Sequence, residues 1–100
     1  MIELKAKFNN AKVFTDNIDA ETISQIMLLL NQEFVKDNKI RIMPDTHAGS
    51  GCVIGTTMTI KDKIVPNLVG VDIGCGMHAV KLKEKEIDLS ALDEVIEKFI

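Results

Sequence analysis

The residues best suited to chemistry lie in two glycine-bearing stretches, "MPDTHAGSG" (43–51) and "GVDIGCGM" (70–77). Asp72 and Cys75 are separated by two residues, a spacing at which a turn can aim a carboxylate oxygen and a sulfur at one metal ion. The thiolate is the binding species, its pKa lowered by the ion itself. A mixed oxygen and sulfur pair suits a borderline divalent ion such as Zn²⁺ or Mn²⁺, whereas Ca²⁺ and Mg²⁺ prefer oxygen alone. Two ligands do not complete a site, because catalytic zinc takes about three protein ligands and keeps one open position. His47, Cys52 and His78 are the other candidates.

Each of these residues also admits a plainer role. Cysteine is among the most buried residue types, so Cys75 can serve as a small core hydrophobe, and Cys52, opening a strand, reads as core. Asp45 follows Pro44 and can close an Asx turn. His47 can be an exposed loop histidine and His78 an ordinary strand residue. Glycine permits positive φ and lets backbone N–H groups approach a ligand closely, as phosphate-binding nests require. Neither stretch is a P-loop, which needs Lys followed by Ser or Thr, and neither carries G-x-G-x-x-G opening a helix.

The elements that must hold these loops are short. "IELKAKF" (2–8) alternates apolar and polar residues with the period of a half-buried strand, "NN" (9–10) makes a turn, and "AKVF" (11–14) pairs back. Asp16 or Asp19 caps a helix whose apolar stripe is Ile23, Ile26, Met27, Leu30 and Phe34. "IRIM" (40–43) is a strand stopped by Pro44, followed by the loop 45–51 and the strand-like "VIGTTMTI" (53–60). "KDK" (61–63) reads as a hairpin turn into "IVP" (64–66), and "MHAVKLK" (77–83) as another strand. Ser90 and Asp93 resemble a capping box for a last helix with Leu92, Val95, Ile96 and Phe99 on one face. That helix reaches Ile100 in mid-pattern without a C-cap. The expectation is a chain truncated there, whose apolar helix face needs a partner.

The fold class expected is α+β, with short, partly antiparallel strands and two helices in one small domain, since 100 residues of 46% hydrophobic content are unlikely to make two. A net charge of −3 argues against a general basic nucleic-acid surface, and four Phe without Trp or Tyr show no stacking platform for single-stranded RNA. The longest apolar run, "IMLLL" (26–30), is too short to span a bilayer, so no membrane is expected. The N-terminus shows no signal core, and the two cysteines read as reduced thiols of a cytoplasmic protein.

Together the two loops say more. "MPDTHAGSGCVIGTT" followed by "IVPNLVGVDIGCGM" resembles the N-terminal part of the RtcB RNA ligase family, with similarity from about Val13 to Leu82. The resemblance implies residues 1–100 are an N-terminal segment of the ligase catalytic domain, with the N-terminal part of the RtcB-type fold. It implies a GTP- and Mn²⁺-dependent enzyme joining RNA ends with a 2′,3′-cyclic phosphate or 3′-phosphate to a 5′-hydroxyl. On that likeness Asp72 and Cys75 are metal ligands, Asp45 lies at the active site, and His47 matches the motif's histidine. Two Mn²⁺ ions complete the family's site. GTP is held mainly by residues outside these 100, as are the guanylylated histidine and the other metal-binding histidines. The segment alone is then inactive, and the remainder of the ligase packs on the last helix. A non-catalytic metal-binding module and a metal-dependent phosphoesterase are the alternatives.

Overall fold

The computed structural model describes all 100 residues. Alternation in the first residues does produce a strand, β1 (Ile2–Lys5), with Ile2 and Leu4 half-buried and Glu3 and Lys5 exposed. The chain turns through an Ala6 N–H to Asn9 carbonyl bond of 3.0 Å, and β2 (Asn10–Val13) pairs back antiparallel with Ile2 opposite Val13.

Helix α1 (Ala20–Leu30) follows, capped by Asp19, whose carboxylate accepts from the Thr22 N–H at 2.7 Å and from the Thr22 hydroxyl at 3.1 Å. Those two bonds hold the Asp19 carboxyl below its ordinary value, because both favour the charged form. They also satisfy Thr22, the one polar residue that is fully buried. The buried face of α1 is Thr22, Ile26, Leu29 and Leu30, so the stripe is rotated from the expected one and Ile23 and Met27 become its flanks. The helix ends at Leu30, and Phe34 belongs to a separate 3-10 turn (Glu33–Val35).

Strand β3 (Ile40–His47) lies parallel to β2, a pairing no tight turn can make, so α1 serves as the crossover. Strand β4 (Ile54–Met58) closes the sheet antiparallel to β3, giving the order β1-β2-β3-β4. The mixed four-stranded sheet with two helices is the expected α+β class. One face of it carries Ala11, Val13, Ile40 and Ile42, which pack with Ile26, Leu29, Leu30, Val35 and Val53 as the core. Each large side chain buried there contributes about 1.5–3 kcal/mol. Asn9 ties the β1–β2 turn to the end of α1's connection, its Nδ2 donating to the carbonyls of Val35 and Asn38.

Three expected features differ beyond β4. No hairpin forms at 61–63. Instead Asp62 adopts φ 55°, Lys63 Nζ donates to the Phe34 carbonyl at 2.9 Å, and Pro66 opens a 3-10 turn (Pro66–Leu68). The segment is drawn across toward α1's connection and does not pair with β4. No strand forms at 77–83 either, and Met77, Val80 and Leu82 are exposed, because alternation makes a strand only where a sheet edge takes up its backbone groups. Helix α2 (Leu89–Phe99) is present, but its cap is Asp88, whose carboxylate accepts from the N–H groups of Ser90 and Ala91, so Ser90 lies inside the helix. The α2 face of Leu92, Val95, Ile96 and Phe99 is exposed. With residues 70–100 all outside the core, the radius of gyration is 17.3 Å, against about 13 Å for a compact chain of this length.

Candidate functional site

Pro44 does not stop β3. The strand pairs normally through Ile42 with Thr56, then resumes at His47 with Ile54, leaving four residues, 43–46, opposite the single Gly55. Such a bulge tolerates a proline, which has no N–H to give the ladder, and it re-aims the side chains it carries. Gly55 answers it with φ +87° and a Cα facing the Thr46 backbone, where an added Cβ would come within 3.4 Å. Thr46 Oγ1 donates to the Ile54 carbonyl at 3.0 Å and secures the bulge from its own side. Asp45 and His47 are thereby exposed at the end of the sheet.

The His47 ring is oriented by its own strand. Its Nδ1 lies 2.8 Å from the Asp45 carbonyl oxygen. A carbonyl only accepts, so Nδ1 is the donor, and in the neutral ring that tautomer leaves the lone pair on Nε2.

At Gly51 the loop after His47 meets the 3-10 turn that precedes the second glycine stretch. There φ is +88°, and a Cβ would stand 3.0 Å from the Asn67 carbonyl oxygen in the 3-10 turn. This close approach leads residues 67–75 alongside β3 and β4. Cys75 N–H donates to the Asp72 carbonyl at 3.2 Å, so the two residues close a turn, as their spacing suggests. Both side chains are exposed.

The result is a cleft of about 520 Å³ whose lining includes Asp45, His47, Asp72 and Cys75. The four residues to which the family resemblance gives roles all border it. Cys52 lines it as well, half-buried, its thiol donating to Thr56 Oγ1 at 3.7 Å while that hydroxyl donates to the Val53 carbonyl. Cys52 is thus packed against the core, close to its expected role. His78 is exposed and on no strand.

The cleft's donors are two carboxylates, an imidazole nitrogen with a free lone pair and a thiol, the set a borderline divalent ion takes. They suit such an ion in kind. No three His, Cys, Asp or Glu groups stand close enough to hold one together. Gly70, Gly74 and Gly76 have no neighbouring atom within 4 Å of a Cβ position, and none has positive φ. Nothing in these residues packs the Asp72–Cys75 turn down, and the conformational freedom of its glycines is not used within the fold.

Two contributors have little or no signature in the sequence. Gln25 on α1 binds the backbone of Gly49, two residues beyond His47, and Asn67 supplies the carbonyl against Gly51. A polar residue at position 25, beside the buried face of α1, is the one signal for the first. The second is a backbone contact with no side-chain signature.

The fold is thus a small α+β scaffold with carboxylate, imidazole and thiol groups bordering one cleft. Comparison with known proteins is more specific. The sequence model of the family described as tRNA-splicing ligase RtcB matches residues 25–100. Among curated proteins, RNA-splicing ligase RtcB1 of an Escherichia coli strain is 38% identical over 72 residues, covering 72% of this chain and 17% of that protein. RNA-splicing ligase RtcB of Escherichia coli K12 is 39% identical over 64 residues, covering 64% of this chain and 15% of its own length. No solved structure matches. The chain belongs to the RtcB family of RNA-splicing ligases, and spans under a fifth of the length of these two relatives.

Proposed function

We propose that these residues form the N-terminal part of the catalytic domain of a GTP- and Mn²⁺-dependent RNA ligase, joining 3′-phosphate or 2′,3′-cyclic phosphate ends to 5′-hydroxyl ends. The observation that carries the reading is the cleft bordered jointly by Asp45, His47, Asp72 and Cys75. Family membership supports it.

In this reading Asp72 and Cys75 hold a divalent ion, with further ligands from the rest of the ligase. Such an ion supplies charge neutralisation for phosphoryl oxygens and a leaving pyrophosphate. The Cys75 thiolate biases the site toward Mn²⁺ or Zn²⁺ over Mg²⁺. Asp45 works as a carboxylate at the mouth of the cleft, and His47 offers its Nε2 lone pair to a proton or a ligand. GTP is held mainly outside residues 1–100. The exposed α2 face of Leu92, Val95, Ile96 and Phe99 is the surface on which the remainder of the ligase packs, and the isolated segment is inactive. The enzyme works in the cytoplasm, and no helix here is long and apolar enough to cross a membrane.

The test is ligation by the full-length protein of two RNA pieces with the stated ends. Joining requires GTP and Mn²⁺, stops on chelation, returns with Mn²⁺, and is lost in Cys75→Ala. Hydrolysis of the 3′-phosphate without joining would make the protein a phosphoesterase. Metal binding with neither reaction would leave a binding module.

A further inference from the structure

Helix α1 reaches the first loop through one side chain. Gln25 is half-buried, its Nε2 donates to the Gly49 carbonyl at 3.0 Å, and its Oε1 accepts from the Gly49 N–H at 3.1 Å. One carboxamide therefore satisfies both backbone groups of one residue, as a neighbouring strand would. Gly49 is held on its other side too. A Cβ there would fall 2.4 Å from the Cys52 carbonyl oxygen and 3.0 Å from Ile54 Cδ1. Gly49 lies two residues beyond His47 and four beyond Asp45, while Gln25 stands beside Thr22, Ile26 and Leu29, which are buried. The loop is thus braced against the helix that packs on the core.

We propose that Gln25 is a positioning residue for the ligation reaction: its carboxamide clamps Gly49 and so sets where Asp45 and His47 stand in the cleft. This rests on the reading that Asp45 and His47 act there. The clamp needs a neutral group with one donor and one acceptor. Leucine supplies neither. An ionised glutamate can accept from the Gly49 N–H but turns an oxygen toward the Gly49 carbonyl, whereas a protonated glutamate restores both bonds. Burial and that facing carbonyl both raise the glutamate's pKa above its ordinary value of about 4.3.

The experiment uses the full-length ligase with saturating GTP and Mn²⁺, and measures kcat and the KM for RNA ends in the parent, Gln25→Leu, Gln25→Glu and Asp45→Asn between about pH 5 and about pH 8. Thermal unfolding is followed in parallel. The expected result is a kcat about tenfold lower or more in Gln25→Leu with the KM for RNA within about twofold, the signature of lost transition-state geometry. Activity of Gln25→Glu relative to the parent rises as pH falls. Should Gln25→Leu not fold, the pH profile of Gln25→Glu decides. Parental kcat in Gln25→Glu at every pH, with Asp45→Asn inactive, overturns the positioning role alone. A pH-independent loss that tracks lost thermal stability overturns it as well, leaving Gln25 a structural residue. Parental activity in Asp45→Asn removes the underlying reading, and the proposal with it.

Discussion

His47 Nδ1 stands 2.8 Å from the carbonyl oxygen of Asp45, two residues back on the same strand. That contact leaves Nε2 as the nitrogen available to a substrate or ion, the arrangement by which ligating histidines are commonly oriented. It also makes Asp45 and His47 one unit, set by the bulge of β3 against Gly55. Replacing His47 with Ala in the full-length enzyme lowers ligation by about 10²–10⁴, the range for a positioned acid, base or ligand. The exposed side chain makes little difference to the fold, so stability changes by less than about 0.5 kcal/mol. Single-turnover ligation and thermal unfolding, measured side by side, check both halves.

The two glycine stretches differ in what they ask of their glycines. Gly49→Ala puts a methyl group 2.4 Å from the Cys52 carbonyl oxygen, a backbone atom that cannot swing away. The expected cost is about 1–3 kcal/mol, as for other overpacked sites. Gly70→Ala meets nothing within 4 Å and has ordinary φ, so its stability stays within about 0.5 kcal/mol of the parent. Urea unfolding of the two variants should separate them clearly.

Asp19 gives the fold a pH dependence of known sign. Its bonds from Thr22 lower the folded-state pKa below the ordinary 3.8. The cap therefore contributes fully above that ordinary value and is lost as pH falls through the lowered one. Asp19→Ala melts below the parent at neutral pH, and the two melting temperatures converge in strong acid. A gap that persists unchanged into acid would mean the carboxylate's charge is not what stabilises α1.

Much of this architecture is legible in the sequence. Alternation placed β1, and the residues that became β2, β3 and β4 were apolar segments between turn formers. The candidate residues could be named because "PDTH" and "DIGC" pair unusual chemistry with turn geometry. What could not be read was the detour of β3 through Pro44. A proline normally ends a strand, and only a partner such as Gly55, at φ +87°, makes a bulge the alternative. The strand expected at 77–83 failed for a related reason. Its pattern is local, but its backbone needs an edge that these residues do not provide. Gln25 escaped because its partners are backbone atoms 24 positions away.

The central claim is that Cys75, together with Asp72, holds a divalent ion in this cleft. Cobalt substitution tests it most directly, since a thiolate on Co²⁺ produces an intense near-ultraviolet charge-transfer band that oxygen and nitrogen ligands do not. Full-length ligase titrated with Co²⁺ should develop that band, Cys75→Ser should abolish it, and Cys52→Ser should leave it intact. A band that survives in Cys75→Ser, or disappears only in Cys52→Ser, would contradict the account.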